Sequence, residues 1–152
     1  MEYNISNSTR PVSIETIRNK SYYVVDATDK PLGRLCSVVA NVLRGKHKAT
    51  FTPFLACGDK VIVINSSKVK LTGNKVDQKE YIRYTNYPGG QRKTLAKDLL
   101  NRFPNRLIEK AVKGMLPKNR LSRHIIANDL KVFSDDKHPY LDKSLKTIKT
   151  KF

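Results

Sequence analysis

Tyr22-Tyr23-Val24-Val25 and Val61-Ile62-Val63-Ile64, with Leu32-Gly33-Arg34-Leu35-Cys36-Ser37-Val38-Val39-Ala40-Asn41-Val42-Leu43-Arg44 between them, decide the fold. Each flanking run is continuous and β-prone, the pattern of a strand buried on both faces. In the middle run Leu32, Leu35, Cys36, Val39, Val42 and Leu43 recur on one helical face, with Gly33, Arg34, Ser37, Asn41 and Arg44 on the other. Asp26-Ala27-Thr28-Asp29 turns the chain into this helix, with Asp29 or Lys30 as N-cap and Pro31 in the first turn. Gly45 is the natural C-cap, and Gly58-Asp59 turns the chain into the second strand. Strand, helix and strand at this spacing make a right-handed βαβ unit, so the fold class is α/β.

Working outward, Ser66-Ser67-Lys68 reads as a short turn or helix start, Val69-Lys70-Leu71 as a third short strand and Tyr81-Ile82-Arg83-Tyr84 as an exposed, alternating one. Pro88-Gly89-Gly90-Gln91-Arg92-Lys93 reads as a mobile basic loop, after which Thr94 caps a helix from Leu95 to Phe103. Pro104 opens the next helix and Pro117 stops it. Its Leu107, Ile108, Ala111, Val112 and Met115 share one face, whereas Arg106, Lys110 and Lys113 form a basic stripe on another. A last helix over 119–128 feeds a final strand, Leu130-Lys131-Val132-Phe133. Residues 1–20 are polar and aperiodic, a flexible or partner-ordered arm. A single domain follows over 21–134, and residues 135–152 read as an extended basic tail.

Lys and Arg number 30 against 13 Asp and Glu, a formal charge of +17 over 152 residues. Such a surplus attracts polyanions with a strength that falls as salt rises, so nucleic acid is the leading partner. A membrane comes second, and no stretch approaches the roughly 18 apolar residues of a spanning helix. The first twenty residues are polar and contain Glu2 and Glu15, unlike a signal peptide. Cys36 and Cys57 stand without a CxxC, which points to reduced thiols in a cytosol-like compartment.

Constellations for catalysis are thin. His47, His124 and His138 lack metal-ligand spacing. Gly45-Lys46 lacks the earlier Gly and the following Ser or Thr of a phosphate loop. Asp26 follows the first strand and Asp59 precedes the second, so parallel strands set them about 15–20 Å apart, too far for a working carboxylate pair. Neither a cofactor nor a metal is expected.

The cations group better. Arg44, Lys46, His47 and Lys48 form one set, and Lys75 with Arg83 a second. Arg92, Lys93, Arg106, Lys110 and Lys113 form a third, extended by Lys118, Arg120 and Arg123. Arg34, on the polar face of the first helix, completes the candidate RNA-binding residues. Without an aromatic-rich sheet motif, the pattern favours reading the shape and backbone of structured RNA. An RNA-processing enzyme with a basic docking face and a stand-alone RNA-binding repressor are the competing classes.

Tyr23-Val24-Val25-Asp26-Ala27-Thr28 with Leu32-Gly33-Arg34-Leu35 resembles the first βα signature of the thirteenth large-subunit ribosomal protein family. So do Leu43-Arg44-Gly45-Lys46, Thr52-Pro53 with Cys57-Gly58-Asp59, Val63-Ile64-Asn65 and Leu71-Thr72-Gly73-Asn74-Lys75. Ala111-Val112-Lys113-Gly114-Met115-Leu116-Pro117 is similar to the bacterial branch. The resemblance implies a three-layer α/β/α domain with a four-stranded, mainly parallel sheet and no catalytic activity. It also implies binding to large-subunit rRNA early in assembly, contacts with neighbouring large-subunit ribosomal proteins, a ribosome-bound cytoplasmic location and, in some members, repression of their own mRNA. Ser122 stands where the family usually has Gly, and the N-terminal arm is longer than usual.

Overall fold

A computed structural model of the protein describes residues 19–140 and 144–148; the N-terminal arm, apart from Asn19 and Lys20, lies outside them. Strands β1 (Tyr22–Asp26) and β2 (Lys60–Ile64) run parallel with Val24 opposite Ile62 and Val25 opposite Val63. Between them runs α1 (Leu32–Arg44), which buries Leu32, Leu35, Cys36, Val39, Val42 and Leu43, the expected face. Gly45 caps it at φ 82°, donating its N–H to the carbonyls of Asn41 and Val42. A Cβ there would meet the Cys57 carbonyl carbon and the Gly58 nitrogen at 2.9 Å, so any other residue would push away the strand leading into β2.

The start of α1 differs from expectation. Pro31 is itself the boundary residue, with extended backbone at φ −65° and ψ 125°. Its neighbours tie it there: Leu32 N–H donates to the Lys70 carbonyl, and Lys70 N–H to the Lys30 carbonyl, each at 3.0 Å. Val69-Lys70-Leu71 is accordingly not a sheet strand; it makes one isolated bridge, Lys70 to Pro31.

A short α2 (Lys75–Gln78) leads into β3 (Glu80–Tyr84), which pairs antiparallel with β4 (Gln91–Leu95). Of the segment expected as a mobile loop, Pro88-Gly89-Gly90 is the turn and Gln91-Arg92-Lys93 is strand, part of a two-stranded ribbon, and Thr94 is a strand residue where a helix cap was expected. Then come α3 (Ala96–Arg102), α4 (Pro104–Met115) and α5 (Arg120–Asp129). β5 (Leu130–Val132) pairs with β2, and β6 (Leu145–Thr147) with β1. The order β5-β2-β1-β6 is four-stranded and parallel throughout. One edge strand therefore comes from the stretch expected as a tail.

Val25, Val61, Val63 and Leu130 on one sheet face join Leu35, Val39 and Leu43 of α1, Leu99 of α3, Leu107, Ile108 and Val112 of α4 and Ile125 of α5 in one core. Truncating a fully buried member such as Leu35 costs about 2–5 kcal/mol. Cys36 and Cys57 are both free and buried. Burial pushes the Cys36 thiol up to about 12, so it stays protonated.

Candidate nucleic-acid interface

The apolar face of α4 fixes where its charges point. Leu107, Ile108 and Val112 are buried in the core, which holds Arg106, Lys110 and Lys113 outward along a rigid helix. The ribbon stands beside it. Strand alternation and the register Tyr81–Thr94, Arg83–Arg92 put these four side chains on one ribbon face. Tyr81 packs against the core, and the two arginines line the space between ribbon and helix. That groove holds about 610 Å³. Arg83, Arg92, Arg102, Arg106, Lys110 and Lys113 line it, against only Asp98 and Glu109.

Arg83 and Arg92 sit directly opposite each other on an antiparallel pair. Like charges so placed destabilise the pairing by a few tenths to about 1 kcal/mol. An anion between them removes that cost, and two planar guanidinium forks match phosphate geometry. The groove therefore concentrates positive potential, the electrostatics that attract an anion.

Two further hollows share α4. One of about 360 Å³ lies between the first turn of α1, residues 70–79 and α4, with Lys70, Lys75, Lys79 and Lys110 around Tyr81. Lys79 and Lys110 bring their Nζ atoms 5.4 and 5.0 Å from the centre of the Tyr81 ring, so the ring's negative face holds both ammonium groups. The Tyr81 hydroxyl is buried without a hydrogen-bond partner; burial, then the nearby Cys36, raises its pKa. The second hollow, about 550 Å³, opens between α4 and α5 and is lined by Lys110, Lys113, Lys118 and Arg123. Asn119 sets that edge by accepting the Ser122 N–H at 2.8 Å, which caps α5. Lys110 reaches all three concavities.

The far end of α1, about 18 Å from its start, is different. Asp59 is 1% exposed there, accepting from Lys48 Nζ at 2.6 Å and from the Ser21 N–H at 2.9 Å. His47 Nε2 lies 2.9 Å from its other oxygen. Arg44 stacks over Phe51 at 5.6 Å, and Lys46 stays exposed. The first expected cationic set is therefore largely engaged within the fold. Arg34 is exposed on α1 and Arg120 at the start of α5, while Lys93 pairs with Glu80 at 3.0 Å on the ribbon's other face. Sequence reading did not select Lys70, Lys79, Tyr81 or Arg102. Tyr81 was legible as an alternating strand residue, and its flanking lysine as a cation beside it; Arg102 carried no signal beyond its charge.

The acids offer little chemistry. Asp26 and Asp59 lie about 16 Å apart along the strands, as expected. Asp26 accepts from Asn65 Nδ2 at 2.9 Å and from the Thr28 N–H at 3.0 Å, a turn-capping role. Among the described residues no three of His, Cys, Asp and Glu gather to hold a metal, and no helix is long and apolar enough to cross a membrane.

The sequence profile described as ribosomal protein L13 matches residues 20–139. Large ribosomal subunit protein uL13 of Natranaerobius thermophilus is 54% identical over 121 residues, 80% of this chain and 84% of that protein. The uL13 proteins of Symbiobacterium thermophilum and Syntrophomonas wolfei are 48% identical over 134 residues and 53% over 122, covering 88% and 80% of this chain and 92% and 84% of theirs. The motifs of β1, α1 and α4, the parallel sheet they build and this extent of identity lead to one conclusion: the chain belongs to the ribosomal protein L13 family.

Proposed function

We propose that the chain is a structural constituent of the large ribosomal subunit that binds and stabilises folded large-subunit rRNA early in assembly. It works bound to the ribosome in the cytoplasm, beside neighbouring large-subunit proteins. One observation carries the reading: the opposed Arg83 and Arg92 face Arg102, Arg106, Lys110 and Lys113 across a groove with two acids. Uncompensated cations mounted on a helix anchored in the core suit a fixed phosphate backbone. The relatives named as large ribosomal subunit protein support the same assignment. No catalytic step is part of it; Asp26 and Asp59 each take hydrogen bonds within the fold.

Titrating the purified protein with large-subunit rRNA domains across a salt series tests the binding. Affinity should fall steeply and log-linearly with salt. Pulse-labelling of assembling particles tests the timing, and the protein should appear in the earliest large-subunit precursors. A flat salt profile, or entry only into finished particles, overturns the reading.

A further inference from the structure

The ribbon's tip is the most conspicuous unpartnered feature outside the groove. Tyr87 is 79% exposed and Tyr84 66%, the highest values among the large apolar residues apart from Phe54. Their backbone is held. Thr85 N–H and Oγ1 both donate to the Gly90 carbonyl, at 3.1 and 3.2 Å, and Gly90 N–H donates to the Tyr87 carbonyl at 2.9 Å. A Cβ on Gly90 would stand 2.1 Å from Thr85 Oγ1 and 2.8 Å from the Tyr87 carbonyl oxygen, so the closure tolerates no side chain. Two flat rings on a pre-ordered turn lose little entropy on binding.

We infer that the tip is a stacking site for unpaired RNA bases, with Tyr87 and Tyr84 as its platforms. The surrounding charge selects the partner. Arg83 and Arg92 sit one register step from Tyr84 but on the groove side of the ribbon, whereas Tyr84 lies on its other face with Lys93, so a strand whose phosphate is held by the pair reaches the rings by passing around the tip. Unpaired nucleotides that turn around the tip from the groove meet the rings there, and every base has a face to stack. The inference rests on the RNA-binding function proposed above and adds a class of target to it: a loop or bulge beside a helix.

Two RNA probes test it with the full-length protein: a stem-loop carrying 2-aminopurine in its unpaired loop, and a blunt duplex of the same composition. Binding should quench the fluorophore. Tyr87→Ala and Tyr84→Ala should each weaken stem-loop binding about tenfold, leave duplex binding and the salt slope unchanged, and be rescued by Phe. Absence of quenching, no loss, or equal loss on both probes overturns the inference. So does normal stem-loop binding by variants that no longer join reconstituted subunits, which would make the tip a protein contact. A salt-independent wild type withdraws the groove and the tip together, whereas a steep wild-type slope with unaffected tyrosine variants removes the tip alone.

Discussion

The two ends of this molecule treat positive charge in opposite ways. At the end of α1, the Lys48 ammonium and the His47 ring converge on Asp59, which also takes a backbone N–H, so this acid is matched inside the fold. Around α4 and the ribbon, six cations face two acids, and a pair of arginines is held in mutual opposition. The first arrangement lowers the free energy of the isolated protein. The second raises it, because like charges are held together with few acids among them. Cations of the same kind meet a buried acid in one place and face few acids in the other, and the deciding variable is which side chains the fold brings into their space.

Substitutions should separate the two ends. Replacing Arg106, Lys110 and Lys113 together by Ala should have the largest effect: the salt slope of RNA binding falls by roughly three units. These side chains are exposed, but Lys110 packs over Tyr81 and Arg106 over Phe103, so unfolding free energy should fall only by about 1–2 kcal/mol, from those two cation–π contacts. Filter binding across a salt series, beside urea denaturation, reads both.

Asp59→Ala should do the reverse. It strands the part-buried Ser21 N–H, the Lys48 ammonium and the His47 ring, the two side chains each about 30% exposed, so the loss should sit near the lower end for a broken buried pair, about 3 kcal/mol. A lower urea midpoint at constant m-value, with an unchanged salt slope in the folded protein, is the expected outcome. A shallower slope would instead show that His47 and Lys48 reach RNA.

Arg92→Gln sharpens the contrast within one residue. It should shallow the slope by roughly one unit while stabilising the free protein by a few tenths of a kcal/mol, since the opposition with Arg83 is gone. Destabilisation would mean that the pair is already compensated inside the protein.

The smallest effect belongs to Asp26. Burial pushes its pKa up, but hydrogen bonds from Asn65 and Thr28 and the charge of Lys30 outweigh this and hold it below the ordinary value of 3.8. A lowered folded pKa contributes stability that is present above that value and lost as pH falls through the folded one. The advantage of wild type over Asp26→Asn should therefore shrink below about pH 4. Acid melts of the two proteins that stay parallel would rule this out.

Local repetition made α1 and α4 legible, because their apolar residues return every three or four positions and each helix has its own stop, Gly45 or Pro117. The continuous runs of β1 and β2 were legible for the same reason. Gln91-Arg92-Lys93-Thr94 carries no apolar alternation, so nothing local marks it as a strand; only pairing with β3 makes it one. Leu145–Thr147 is three residues long and contains a lysine, yet it closes one sheet edge because β1 offers unpaired backbone there.

The chain's composition and periodicity by themselves determined an α/β scaffold carrying a basic stripe on the helix from Pro104 to Met115. Tertiary structure alone decided which cations are free. That depends on neighbours distant in sequence, such as Asp59 for Lys48 or Arg92 for Arg83, and Coulomb energy follows separation in space, which no spacing along the chain records.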